Sequence, residues 1–143
     1  MTEKFGLYVH IPFCASICSY CDFYKKIKKD TEQEDSYITK LLSELESYEH
    51  MFSSGLNTIF IGGGTPNSLS DKNLERLLKY LSKIKSVTEF TIETNPELFT
   101  LKQAMLFKEY GVNRVSLGVE TFDQKILRSL NRKHSNNQVF YQI

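Results

Sequence analysis

All three cysteines of the chain lie in one stretch, Tyr8 to Phe23, at Cys14, Cys18 and Cys21. Their spacing is C-x3-C-x2-C, directly after a short apolar run that ends at Pro12. Three thiolates on one tight loop can hold three irons of a cubane iron–sulfur cluster, which usually takes four cysteines. One iron is then left open, and an open metal position is where a substrate or cofactor binds. A disulfide framework needs an even count, and the sequence shows neither a signal peptide nor an extracellular composition. Zinc is the competing metal, because Cys14, Cys18 and Cys21 with His10 would make a Cys3His set. His10 sits inside the alternating apolar run Leu7 to Ile11, however, where a strand histidine is more often a core or cavity residue. Three unrelated buried cysteines would not cluster so closely.

The 143 residues have the length of one domain, and 41% hydrophobic with 24% charged residues supports a packed core rather than disorder. A net charge of +1 points to neither nucleic acid nor a membrane surface. No apolar run approaches the ~20 residues of a transmembrane segment. The chain reads as cytoplasmic, in a reducing compartment where thiols stay available for metal.

The first strand is read as Phe5 to Ile11, stopped by Pro12. After the cysteine loop, the basic run Lys25-Lys26-Ile27-Lys28-Lys29 reads as a solvated linker. Asp30 and Thr31 open a helix, with Thr31 and Glu34 at capping-box spacing. Ile38, Leu41, Leu42, Leu45, Tyr48 and Phe52 form its apolar stripe, and Ser53-Ser54-Gly55 ends it. A second strand, Asn57 to Ile61, leads into Gly62-Gly63-Gly64-Thr65-Pro66. Ser70 caps the next helix, with Leu69 and Leu74 placed as a staple. The third strand spans Glu89 to Thr94. Thr100 caps a further helix, with Gln103 at capping-box position. The fourth strand spans Arg114 to Glu120, and Phe122 with Leu127 would staple a last helix near Asp123 to Asn131. The tail to Ile143 is polar at first and then apolar.

Alternating strands and helices predict βαβ units on a parallel sheet. Phe90 and Ile92 oppose Thr91 and Glu93, and Leu7, Val9 and Ile11 oppose Tyr8 and His10. Each strand thus carries one polar face, whereas a doubly covered parallel sheet is apolar on both. A polar face predicts a lumen or cleft for a polar ligand. The candidate chemistry falls at strand carboxyl ends, where open sheets and barrels bind ligands. Gly62-Gly63-Gly64 matches no phosphate-loop pattern. It reads either as a tight turn or as a backbone edge for a ligand's amino-acid group. Glu93 and Glu120 read either as acids paired with Arg114 or Arg132, or as acceptors for a ligand's ammonium or hydroxyl groups.

Cys14-x3-Cys18-x-Tyr20-Cys21 resembles the cluster loop of the radical S-adenosylmethionine superfamily. The ordered set Tyr8-Val9-His10-Ile11-Pro12-Phe13-Cys14, Cys21-Asp22-Phe23, Gly62 to Pro66, Glu93-Thr94-Asn95-Pro96-Glu97, Gly111 to Gly118 and Leu130-Asn131-Arg132-Lys133-His134 narrows the likeness. It resembles the oxygen-independent coproporphyrinogen III oxidase family, and within it the heme-chaperone branch. The oxidases carry an extension before the loop and a further cysteine where Asp22-Phe23 stands here.

The resemblance implies a partial (β/α) barrel of the radical S-adenosylmethionine type, an α/β fold of parallel strands with outer helices. It implies a [4Fe-4S] cluster on Cys14, Cys18 and Cys21. Tyr8, Tyr20, Gly63, Gly64, Thr65, Glu93, Glu120 and Arg132 match positions that contact S-adenosylmethionine. In active relatives the reduced cluster cleaves the sulfonium to a 5′-deoxyadenosyl radical. The chaperone branch binds heme as cargo and passes it on, to a heme-acceptor protein. Two departures stand out: Glu120-Thr121 replaces the usual Gln-Ser, and family members are more than twice as long. An extra charge at Glu120 would either strengthen a hydroxyl contact or repel the cofactor's carboxylate. The expectation is that residues 1–143 are the N-terminal part of a radical S-adenosylmethionine core, an incomplete barrel without the C-terminal domain. The alternatives are a fragment of the porphyrin-biosynthesis oxidase and a small zinc-binding structural domain. Alanine at any one of Cys14, Cys18 or Cys21 is expected to abolish the cluster, since the chain has no spare thiolate. Iron and acid-labile sulfide analysis checks this, and a full cluster in any such variant would refute the ligand set.

Overall fold

Leu7, Val9 and Ile11 alternate with Tyr8 and His10, and this period-2 pattern folds as strand β1 (Gly6–Ile11). The structure, a computed structural model, describes residues 5–142. Pro12 ends β1, and Phe13–Cys14 (β2) pairs with Lys26–Ile27 (β3) across the cysteine loop. Helices α1 (Thr31–Ser47) and α2 (Glu49–Phe52) lead to β4 (Thr58–Gly63). A short 3-10 turn at Pro66–Ser68 precedes α3 (Asp71–Leu81) and β5 (Glu89–Thr94). Then come α4 (Leu101–Glu109), β6 (Arg114–Leu117), α5 (Gln124–Ser129) and α6 (Asn136–Gln142).

The main sheet has four parallel strands in the order β1-β4-β5-β6. Its core joins Val9, Ile11, Ile59, Ile61, Phe90 and Ile92 to Ile38 of α1, Leu74, Leu77, Leu78 and Leu81 of α3, and Phe107 of α4. Burying such side chains contributes about 1.5–3 kcal/mol each. Strands β1 and β6 are the two edges, so among the described residues the sheet is open.

Several elements differ from the sequence reading for physical reasons. Strand β4 runs on through Gly62 and Gly63, because β1 stays in register with it as far as Ile11↔Gly63. Strand β6 stops at Leu117, and Glu120 has φ +62, in the left-handed region that a strand cannot contain. Ser70 and Thr100 cap α3 and α4 as read. Helix α1 is instead capped by Asp30, whose carboxylate accepts the Gln33 N–H at 2.7 Å. Gln103 turns away from its helix end to bond Asn67. Phe122 stacks on Phe140, with ring centroids 5.5 Å apart. The apolar part of the tail forms α6, and His134 ahead of that helix is buried.

The largest correction concerns the basic run, which is a set of staples rather than a solvated linker. The Lys26 and Lys28 N–H groups donate to Pro12 O at 2.8 Å and Cys14 O at 3.1 Å. Lys26 Nζ lies over the Phe13 ring. Lys28 Nζ reaches Ser68 O at 2.7 Å and the buried Glu34 carboxylate at 3.1 Å. Glu34 also accepts the Ser70 N–H and the Asn73 amide, each at 2.8 Å, at the N-terminus of α3. Burial pulls its carboxyl up, but the hydrogen bonds from Ser70, Asn73 and Lys28 outweigh that and hold it below the ordinary value. A depressed carboxylate contributes stability that is complete above its unfolded value, about pH 4.5, and is lost as pH falls through the folded value. Glu34→Gln is therefore expected to cost about 1–3 kcal/mol at neutral pH. The deficit relative to the unsubstituted chain should shrink in acid, below about pH 4.5. Urea melts at several pH values measure both.

Candidate functional site

The carboxyl ends of β4, β5 and β6, together with the loop that follows β1, open onto one cavity of about 360 Å³. Cys14, Cys18, Cys21 and Tyr20 line it from the loop after β1, and Gly63, Gly64 and Thr65 line it from the end of β4. Glu93, Glu120 and Arg132 complete the wall from β5 and from beyond β6. Tyr8 is the one expected site residue that does not line it. Its phenol donates to His10 Nδ1 at 2.9 Å, its ring stacks on Phe60, and it faces a separate apolar cleft beside β1.

The glycines are required by space. A Cβ on Gly64 would come within 2.7 Å of Pro12 O and 2.8 Å of Phe13 O. Gly63 has φ +115, and a Cβ there would strike the His10 ring. These contacts let the end of β4 lie directly on the start of the cysteine loop, with Gly64 N–H donating to Ile11 O at 2.8 Å. Gly62 leaves room for the Glu93 carboxylate, which accepts the Gly63 N–H at 3.2 Å. Gly62 and Gly63 thus belong to strand β4 rather than to a turn, and Gly63 and Gly64 serve close packing of backbone on backbone.

The thiols differ in environment. Cys14 is buried, and burial pushes its thiol up, partly offset by the Thr65 hydroxyl that donates to its sulfur at 3.6 Å. Arg132 Nη1 lies 3.7 Å from Cys18 Sγ, while Nη2 donates to Asn95 Oδ1 at 3.1 Å and to Gly118 O. Lys25 Nζ donates to the carbonyls of Cys21 and Phe23 and fixes the loop's exit. Tyr20's phenol is pushed above its ordinary value, first by burial and then by the Glu120 carboxylate beside it. Arg114 pairs with Glu89 at 3.6 Å, which leaves Glu93 and Glu120 free of it.

Sequence reasoning missed the brace on the loop's far side. Asn131 Nδ2 donates to Ile17 O at 2.7 Å, and Ser19 bonds Leu130 O and Ser129 O. Asn131 has φ +58 just after α5. Asparagine following a helix was the available signal, since it is second to glycine in the left-handed position after a helix end.

The donor set fits an iron–sulfur cluster and does not fit the Cys3His zinc site. His10 Nε2–H donates to Tyr24 O at 2.8 Å and Nδ1 accepts from Tyr8, so neither nitrogen is free for metal. Among the described residues, no three His, Cys, Asp or Glu side chains converge on a single ion. A cubane takes each thiolate at a separate corner, and here three free thiols share one cavity wall. Gly63 and Gly64 present backbone to the cavity, Glu93 a carboxylate and Arg132 a guanidinium. When bound, the cluster and S-adenosylmethionine would supply one-electron chemistry.

A parallel sheet whose strand ends meet a three-cysteine loop, a glycine edge and two acids has the donor set of an iron–sulfur domain. The sequence model of the Radical SAM superfamily matches residues 8–142, and the chain belongs to that superfamily. Membership implies a [4Fe-4S] cluster and S-adenosylmethionine. The chain is 38% identical to the heme chaperone HemW of Buchnera aphidicola subsp. Acyrthosiphon pisum, over 92% of its length and 36% of the relative's. It is 41% identical to HemW of Lactococcus lactis, over 93% and 35%. It is 37% identical to the oxygen-independent coproporphyrinogen III oxidase of Pseudomonas aeruginosa, over 89% and 29%. The solved coproporphyrinogen III oxidase HemN of Escherichia coli superposes with a TM-score of 0.86 at 30% identity, over 96% of this chain and 33% of that one. The chain thus spans about a third of the length of the relatives it matches. The parallel α/β architecture agrees with that solved structure.

Glu93 points into the cavity and keeps one backbone contact, so its substitution separates binding from folding. Glu93→Gln is expected to leave the melting temperature nearly unchanged and to weaken S-adenosylmethionine binding about tenfold. Calorimetry on the reconstituted chain measures both. A fall in melting temperature with unchanged affinity would make Glu93 a structural acid.

Proposed function

We propose that Cys14, Cys18 and Cys21 hold a [4Fe-4S] cluster. S-adenosylmethionine then binds between Tyr20, Gly63, Gly64, Thr65, Glu93, Glu120 and Arg132. The observation that carries this reading is the convergence of these side chains on one cavity, although they come from separate βα units. Tyr8 acts from outside the cavity, by fixing His10 and so the backbone on which Gly63 rests.

In this proposal residues 1–143 form the first part of a cytoplasmic heme chaperone of the radical S-adenosylmethionine type. In the complete protein the cargo is heme, passed to an acceptor protein. The Asp22-Phe23 pair after the third cysteine favours the chaperone over the oxidase, as do the heme-chaperone names of the Buchnera and Lactococcus relatives. The oxidase, decarboxylating a porphyrinogen, is the second reading, favoured by the likeness to the solved E. coli enzyme.

The chain alone is expected neither to bind heme at a specific site nor to turn over a porphyrinogen. Strand β6 is an edge with Val115 exposed, and Phe122, Phe140 and Tyr141 are exposed after it. Unpaired strand groups beside apolar surface favour association, and water at the open side weakens the charged contacts of the cavity. Size-exclusion chromatography should show oligomers, and a heme titration should show weak, non-stoichiometric binding. A stable monomer that binds heme at one site with micromolar affinity would contradict the incomplete-barrel reading. Porphyrinogen decarboxylation by the chain would favour the oxidase.

A further inference from the structure

Next to the cavity wall at Arg132, and counting only the described residues, Arg132 Nε, His134 Nδ1, Glu97 Oε2 and Gln142 Oε1 are buried side-chain atoms without a hydrogen-bond partner. Three of them belong to one charged group. His134 is fully enclosed, and its Nε2–H donates to Val119 O at 3.1 Å. A carbonyl only accepts, so the proton on Nε2 is fixed and Nδ1 is turned toward Glu97 Oε2, at 3.9 Å. Arg132 sends both Nη atoms toward the cavity, to Cys18, Asn95 and Gly118, and keeps Nε behind. Burial works against its charge, and the Cys18 contact and the nearby Glu97 carboxylate restore it.

We propose that Glu97 and His134 are positioning residues, which hold Arg132 and the turn at 118–120 against the cysteine loop and so set how tightly the site grips its cofactor. The inference rests on the reading of this cavity as an S-adenosylmethionine site. A buried guanidinium needs a counter-charge, and the Cys18 thiolate is already committed to the cluster in that reading. Glu97 supplies a second negative charge that is independent of the cluster. His134 ties Val119 O while Arg132 ties Gly118 O, so both carbonyls before Glu120 are anchored from the same buried group. Glu120 sits at φ +62, and that conformation needs its neighbours to hold it. Neither Glu97 nor His134 lines the cavity; both act through Arg132 and this turn.

The test is a double-substitution cycle on the anaerobically reconstituted chain. It compares Glu97→Gln, His134→Gln, Arg132→Met and the Arg132→Met/Glu97→Gln pair. S-adenosylmethionine affinity is read by calorimetry, the cluster's midpoint potential by redox titration, and iron content and melting temperature alongside. Glu97→Gln, through loss of the counter-charge beside Arg132, and His134→Gln, through loss of the bond to Val119 O, should each weaken binding about tenfold with iron content unchanged. In the Arg132→Met background Glu97→Gln should change nothing further. Independent effects that multiply, or a lower melting temperature with unchanged affinity, would overturn the proposal. If Glu97→Gln does not fold, the same cycle is run with His134→Gln. If the unsubstituted chain binds no S-adenosylmethionine, the cofactor reading fails. The positioning claim is then decided by the potential: Arg132→Met should lower it, and Glu97→Gln should lower it too, because the guanidinium drawn away from Cys18 outweighs the lost negative charge; a rise with Glu97→Gln, the direct effect of removing that charge, or no shift overturns the claim.

Discussion

The close approach of two backbones, Gly63-Gly64 on Ile11-Pro12-Phe13, is the contact on which the site depends. No side chain fits between them at Gly64, where a Cβ would lie 2.7 Å from Pro12 O. Because they touch, Thr65 follows directly beside Cys14 and can donate to its sulfur. Because Gly62 is empty, Glu93 can reach across from β5 to the Gly63 N–H. The cavity is the space left where strand ends meet at this contact, with one wall of sulfur and one of backbone and acid. Van der Waals exclusion thus sets the site before any charge acts.

The cysteine loop is long and irregular, and it is fixed from three directions. Lys25 and Lys28 hold its end and β2, the latter through Glu34 and the cap of α3. Asn131 and Ser19 hold its middle against the end of α5. Arg132 holds it from within the cavity. A loop that must keep three thiols in place cannot rely on its own backbone preferences, since ordering each residue costs about 1–2 kcal/mol. The surrounding charges and amides offset that cost.

Much of this was legible in the sequence where local chemistry determines local structure. The period-2 runs of β1 and β5, the serine and threonine caps of α3 and α4, and the cysteine spacing with its glycine edge could all be read directly. What was hidden depends on partners distant in sequence. The lysine run looked like a solvated linker because nothing nearby shows that Glu34 and Ser68 will meet Lys28. His134 looked like a tail residue because its burial depends on packing that no residue beside it announces. Tyr8 lies on the polar face, but the alternation that put it there does not say that His10 will take its hydroxyl.

The central claim is that three thiols of one cavity hold a cubane with one open iron, and that the open iron meets the cofactor bound along the glycine edge. Mössbauer spectroscopy of the ⁵⁷Fe-reconstituted chain, with and without S-adenosylmethionine, tests it most directly. One iron of the cluster's four should lack a thiolate and should change its isomer shift when the cofactor is added, while the other three stay alike. Four equivalent irons that do not respond to S-adenosylmethionine, or a protein that retains zinc and no iron, would contradict the account.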